Sequence, residues 1–457
     1  MNKALFASLL LLAGCATQPD YKRPAVELPA AWQESAAARD GNWWRIYADP
    51  ALEKLVEEAL TRNTNLALAT ARVDEARALL AQADASFYPS VDANLSRSRS
   101  LSSAATGLLP PGVERERNNY RATLNVAYEV DLWGRLRATS QAARADLLAS
   151  EAARDTVRIT LAADVAKTYF GLRSLDAQVD STRRTLGLRE DGLRLQQKRF
   201  DGGVISEFDY RQLEAEAAAA RAQLPPLERD REIQEAALSV LLGRSPREIF
   251  ASSMPRITGD ESGLLPAAVP SGLPSELLLR RPDLVEAEQR LIAANARVAV
   301  ARSAYFPSIQ LTGMLGSEAQ MLSSLFSGPA GIWSFAAAVA APIFAGGRLE
   351  AQIGAAEARE KQALAGYQGA IQNAFREVRA ALAAQARARE SFEAEGARAA
   401  ALGSALRLAR LRYDNGLASQ LDVIDARRNL LAAEIARYEA LRAQRAAVAD
   451  LFKALGG

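Results

Sequence analysis

Asp422 and Asp425 stand three residues apart, a spacing that places both carboxylates on one side of a helix. Asp209 holds the matching place in an earlier, similar stretch. From spacing alone the pair reads as a solvated helix face; carboxylates gathered around a narrow path would instead attract cations and repel anions. Little else in the chain could do chemistry. Its 457 residues include no His and one Cys, at position 15. Without His the commonest general base and metal ligand are missing. A single Cys excludes an internal disulfide and a thiolate metal cluster. No Gly-rich loop has a phosphate-binding spacing. We therefore expect no enzyme, no metal and no cofactor. A net charge of +2 gives no compositional support for nucleic-acid binding.

Cys15 has a different use. Lys3, the apolar run from Ala4 to Ala13 and the small residues before Cys15 make a secretory signal over residues 1–14. Ending at Cys, this stretch resembles the bacterial lipoprotein signal. The resemblance implies diacylglycerol and an N-acyl chain such as palmitate on Cys15. An ordinary signal peptide that contains a Cys is the alternative. Ala16, in place of Asp, fits outer-membrane retention in such lipoproteins. No later stretch is long and apolar enough for a transmembrane helix. Residues 15–50, with Pro19, Pro24 and Pro29, read as an extended segment leading away from the lipid.

Four segments alternate apolar and polar residues at every second position: 90–98, 120–130, 308–315 and 333–341. Val91, Ala93 and Leu95 oppose Asp92, Asn94 and Ser96. Leu124, Val126 and Tyr128 oppose Asn125 and Glu129. Ile309, Leu311 and Leu315 share one face, and so do Trp333, Phe335 and Val339. This is the period of strands with one greasy and one wet side. A membrane barrel needs about eight strands, so four per chain imply several chains per barrel. Phe87, Tyr88, Tyr305, Phe306 and Trp333, near strand ends, would form interfacial girdles; ordinary strand core is the alternative.

The sequence also repeats. Phe87-Tyr88-Pro89-Ser90-Val91 returns as Tyr305-Phe306-Pro307-Ser308-Ile309, and Arg199-Phe200-Asp201-Gly202-Gly203 as Arg412-Tyr413-Asp414-Asn415-Gly416. We read two structural repeats, 51–243 and 274–457, joined by a Pro-, Gly- and Ser-rich linker at 244–273. Each repeat runs helix, strand, strand, long helix, turn, helix. The first helices are expected at 51–86, capped by Asp49-Pro50, and at 275–304, with Ser275 as cap. The long helices are expected at 135–200 and 348–412. Val157, Leu161, Val165, Tyr169, Leu172, Leu175 and Val179 step by three or four. Shorter helices follow at 206–242, kinked at Pro225-Pro226, and at 419–454. Gly203 and Gly416 serve the two turns.

Together these features resemble the outer-membrane factors of tripartite efflux pumps, a TolC-like and OprM-like family, in its NodT-type lipoprotein subgroup. The resemblance rests on the Cys15 signal, Trp43-Trp44 with Asp49-Pro50-Ala51-Leu52, Asp131-Leu132-Trp133-Gly134-Arg135 and Leu279-Arg280-Arg281-Pro282-Asp283-Leu284. The aromatic-Pro-Ser pair and Arg412-Tyr413 with Gly416 and Asp422 complete it. It implies an α+β membrane protein. Three chains would build a twelve-stranded outer-membrane barrel continued by a long-helix α-barrel across the periplasm. Asp92, Asn94, Ser96, Asn125 and Glu129 would then face the lumen. It implies that Leu421, Asp422, Asp425 and Asp209 line a periplasmic aperture, and that Gly203, Tyr413 and Gly416 shape tips that meet the adaptor. The expected partners are two further copies of the chain, a periplasmic membrane-fusion adaptor, an inner-membrane pump of the RND type and outer-membrane lipid, with no nucleic acid. In relatives a base pairs with the residue at Asp209; Ala418 stands where it would fall, and Arg412 is either its substitute or a helix cap. The implied function is a passive duct for small molecules. A duct for protein secretion of type I and a non-conducting periplasmic coiled-coil scaffold are the alternatives.

Overall fold

A computed structural model of the chain describes residues 21–24, 42–103, 105, 114–251 and 280–457. The signal segment, Cys15 and Ser275 lie outside the described residues. Two compact units emerge. The first takes residues 72–151 and 286–368 together with the start of the chain, and the second takes 26–71, 152–285 and 369–457.

The first unit holds one antiparallel sheet of order β1-β2-β3-β4, with β1 at Ser90–Leu101, β2 at Glu116–Glu129, β3 at Ser308–Ala319 and β4 at Gly331–Ala340. The register bears out the alternation. Val91 pairs with Val126, Leu124 with Leu315, and Leu315 with Trp333, so the apolar residues form one continuous face. Asp92 pairs with Asn125 and Glu129 with Gln310 on the other. Within the chain the apolar face is left open. Leu95 is 78% exposed and Trp333 78%. Tyr88 and Tyr305, both exposed, sit at the end where β1 and β3 begin, and Trp333 sits at the opposite end. β1 and β2 run further than their alternation because Arg99 pairs with Glu116 and Arg97 lies over the Tyr120 ring, 5.5 Å from its centre.

The strands hand over to helices through built junctions. The Trp133 indole donates to the Pro307 carbonyl (2.7 Å) and stacks on Phe306. Asp131 accepts from the backbone N–H groups of Leu136 and Arg137 and from the Arg137 side chain. Burial pushes the Asp131 carboxyl up, but these donors outweigh it and the net shift is downward. Arg135 grips Glu129 with two hydrogen bonds, of 2.8 and 2.7 Å. The helices of this unit close on small residues: Ala142, Ala145 and Ala149 are buried, as are Ala293, Ala296 and Ala299. Small side chains let helices approach closely and leave little room for error.

The second unit has a conventional core of Tyr47, Leu52, Val56, Val165, Tyr169, Leu238, Leu451 and their neighbours. Residues Trp43–Tyr47 form a 3-10 turn, where extended chain was expected, because their rings anchor it: Trp43 stacks on Phe452 at 5.2 Å. The expected first helix is two helices, α1 at Pro50–Arg62 and α2 at Thr64–Ala85. Asn63 divides them. Its side-chain oxygen accepts from the N–H groups of Asn65 and Leu66, and its amide donates to the Leu241 carbonyl. It is an N-cap inside an apparently continuous apolar pattern. Asp49 caps α1 as expected and is itself held by Tyr169 (2.8 Å) and Arg173 (3.0 Å).

The long helices are α3 at Arg135–Asp201 and α7 at Arg348–Asp414, each of 67 residues. α4, Glu207–Leu241, runs through Pro225 and Pro226 as one helix. α5 is a short helix at Pro246–Ala251, inside the expected linker. α6 spans Pro282–Ser303, and α8 spans Gln420–Leu455. The Arg281-Pro282-Asp283 stretch explains itself here. Arg281 is 6% exposed and donates to Asp283, Glu377 and the Ala454 carbonyl.

Candidate functional site

The two helix-turn-helix corners of the second unit collect the predicted aperture and tip residues. Each long helix ends the same way. The Val204 N–H reaches the Arg199 carbonyl and the Gly203 N–H the Phe200 carbonyl; Leu417 and Gly416 repeat this with Arg412 and Tyr413. Both are paired six-to-one and five-to-two closures with a left-handed residue just past the helix. Gly203 (φ +71°) and Gly416 (φ +73°) supply it.

Each following helix then starts on a serine cap. The Asp209 N–H donates to Ser206 Oγ (3.2 Å), and the Ser206 hydroxyl donates to the Asp209 carboxylate (2.7 Å). In the second corner the Asp422 N–H donates to Ser419 Oγ (3.2 Å), while both the Ser419 N–H (2.7 Å) and its hydroxyl (2.8 Å) donate to Asp422. This is a full capping box. The Asp422 carboxyl lies below its ordinary value because the Ser419 side chain and then its backbone N–H stabilise the anion. The spacing Ser-x-x-Asp at a helix start was present in the sequence at both corners, and it signals a cap as directly as it signals a charged rim.

Asp425 sits one turn on and forms an ion pair with Arg428 (2.6 Å). Arg428 also lies 3.7 Å from Glu216, which Arg189 holds at 3.1 Å. Arg428, Glu216 and Arg189 were not singled out from sequence, since they come from three helices. Arg412 reaches past the end of its helix into the turn. Its guanidinium donates to the Leu417 carbonyl at 3.3 Å. Tyr413 contributes its carbonyl to the turn. Its counterpart Phe200 stacks on Tyr210 at 5.2 Å and 10°. Val204, Phe208, Leu417 and Leu421 are exposed apolar side chains at the corners. No group of His, Cys, Asp and Glu suited to a metal occurs among the described residues.

Comparison with known proteins places this geometry. Residues 55–244 and 273–457 match the family model described as outer membrane efflux protein. The chain is 36% identical over 464 residues to the toluene efflux pump outer membrane protein TtgI of Pseudomonas putida, covering 98% of this chain and 97% of that one. It is 33% identical over 462 residues to the cation efflux system protein CusC of Escherichia coli K12, covering 99% and 98%. The crystal structure of the open state of the Neisseria gonorrhoeae MtrE outer membrane channel superposes with a TM-score of 0.85 at 34% identity, over 97% of this chain and 98% of that one.

Proposed function

The chain belongs to the outer membrane efflux protein family, and from that premise we propose its working assembly: a homotrimeric exit duct, lipid-anchored through Cys15, that receives cargo from an inner-membrane pump through a periplasmic adaptor. The protein is an outer-membrane efflux channel. One observation carries the assembly. Within a single chain the sheet leaves β1 and β4 as end strands, with an apolar face open along its length. Hydrocarbon does not tolerate an unpaired strand edge. Three copies give every strand a neighbour, turn the apolar face to lipid and leave Asp92, Asn94, Ser96, Asn125 and Glu129 facing a wet lumen.

The corners are the periplasmic end. Their exposed apolar residues favour them as the adaptor contact, with Gly203, Tyr413 and Gly416 setting their shape. Asp209, Leu421, Asp422 and Asp425 line the aperture. The Ser419 donors keep Asp422 ionised, and Arg428 takes up part of the charge of Asp425, so the aperture favours cations weakly. The pump is of the RND type. Relatives named for toluene and for cations match this chain at 36% and 33% identity, so overall similarity does not select a cargo.

The test is conductance of the purified protein in planar bilayers, against the double variant Asp422→Ala/Asp425→Ala. The wild type should conduct in small, cation-selective steps, and the double variant should conduct more with less selectivity. Selectivity that stays the same would remove these two residues from the aperture. A correctly assembled protein that stays closed even with its adaptor would overturn the duct.

A further inference from the structure

At one end the apolar face of the sheet stops being apolar. The residues that share this face are the odd-numbered ones of β1, β3 and β4 and the even-numbered ones of β2. The charged residues among them are Arg97, Arg99 and Glu116, and all three lie at the end away from the helix junctions. The register sets Arg97 opposite Tyr120 and Leu101 opposite Glu116. Arg99 forms an ion pair with Glu116, so those two charges cancel. The Arg97 guanidinium instead lies over the Tyr120 ring, 5.5 Å from its centre. Among the described residues no carboxylate pairs with it. Its height matters too. Nine residues lead from Tyr88, at the opposite end of the strand, to Arg97. At about 3.3 Å a residue and a tilt of about 40°, the chain climbs roughly 23 Å over that stretch, close to the ~25 Å of an apolar barrel band.

We infer that Arg97, backed by Tyr120, binds the phosphate of an anionic lipid in the outer leaflet of the membrane, one lipid to each chain. The inference rests on the membrane-spanning trimer proposed above. In that assembly this face meets lipid, and Arg97 stands where the acyl chains give way to headgroups. Its planar fork of donors matches two phosphate oxygens at once, and its stem lies along apolar surface while the charged head reaches outward. Leu95 and Leu124 are exposed on the same face, nearer the middle of the strands. A cation at the edge of an apolar strip complements a molecule that carries a phosphate at the end of acyl chains. Free phosphate would use the guanidinium and leave the strip unused, so the site is committed to a lipid.

The experiment uses the purified full-length protein in detergent micelles and bisphosphorylated lipid A as probe. Native mass spectrometry counts the lipid retained by wild type, Arg97→Gln, Tyr120→Leu and Arg117→Gln. Arg97 and Arg117 are both exposed, so their substitution leaves the fold intact. Arg117 pairs with Ser100 on the opposite face near the same end of the sheet, so Arg117→Gln removes an equal charge without touching the site. Wild type should retain one lipid A per chain, and Arg97→Gln should weaken binding by about tenfold or more. Tyr120→Leu should weaken it by less, and Arg117→Gln should match wild type. Lipid A stripped of both phosphates should bind weakly, and equally to wild type and Arg97→Gln. An Arg97→Gln variant that holds lipid A as wild type does would overturn the site, and so would wild type that holds the stripped lipid equally well. Release of lipid A by excess inorganic phosphate would give the guanidinium to free phosphate and sink the lipid assignment. The same spectrum shows the trimer mass. A chain that stays monomeric would overturn the assembly and the site together, whereas a trimer indifferent to the lipid phosphates would overturn the site alone. No readout requires conduction, so a trimer that holds lipid A through Arg97 but does not conduct would count against the duct and leave the site standing.

Discussion

The first and second corners share a backbone and differ in how they are braced. Both end a long helix on a left-handed Gly and begin the next on Ser-x-x-Asp. The first is then held by rings: Phe200 stacks on Tyr210, and Arg211 lies over Tyr210 at 5.6 Å. The second is held by polar groups: a complete capping box, Arg412 on the Leu417 carbonyl, and the Asn415 amide on the Leu411 carbonyl at 2.7 Å. Duplication has thus kept what the backbone needs and changed what side chains can do in more than one way. A turn needs one residue able to adopt φ > 0 and one able to cap. The brace around it can be greasy or polar.

If the backbone is the shared part, breaking it should hurt both corners alike. Gly203→Val and Gly416→Val each put a β-branched residue into the left-handed region, at about 1–2 kcal/mol. A Cβ at either position meets nothing within 4 Å in the chain, so backbone strain is the cost that the two variants share. Thermal unfolding should show equal losses. Unequal losses would mean that the corners differ in backbone as well as in brace.

The caps should sharpen the contrast. Ser419→Ala removes both hydroxyl bonds of the second box and keeps the backbone N–H to Asp422, at about 1 kcal/mol, and Ser206→Ala should cost less, because the first corner has the ring stack as well. Hydrogen exchange of the corner amides measures both. Acid should act on the second corner in the same sense. The Asp422 carboxyl is lower in the folded chain than its ordinary 3.8. The stabilisation it gives is therefore complete above that ordinary value and is lost as pH falls through the depressed one.

The smallest effect should belong to the rings. Tyr210→Leu removes the stack, at about 0.5–1.5 kcal/mol shared with the remaining apolar contact. Amides 200–206 should exchange faster while amides 413–419 keep the wild-type rate. Acceleration in both segments would mean that the corners are coupled.

Much of this molecule was legible because its signals are periodic. The alternation at 308–315 located β3, and the three-four steps from Leu161 to Val179 located buried positions of α3. The break at Asn63 was not legible, since the apolar pattern continues across it and the cap acts partly through Leu241, far along the chain. The corners were found through Gly203 and Gly416, and their acidic residues were read as rim charges. Asp422 is also a cap, and Asp425 also a salt-bridge partner. A residue's second engagement depends on which helix lies beside it, as Arg428 between Asp425 and Glu216 illustrates, and one-dimensional spacing does not carry that.

The equal length of α3 and α7 sets a rule for change. Each residue added to a helix lengthens it by about 1.5 Å and turns everything below by about 100°. One inserted residue in α3 alone would swing the first corner away from its packing face and out of step with the second. Only about seven residues, close to two whole turns, restore the facing, and then only if the returning α4 and the matching α7 and α8 gain the same number. The reach of the protein is therefore written twice in the gene as a residue count. It can follow a wider or narrower cell envelope only in paired steps of roughly 10 Å.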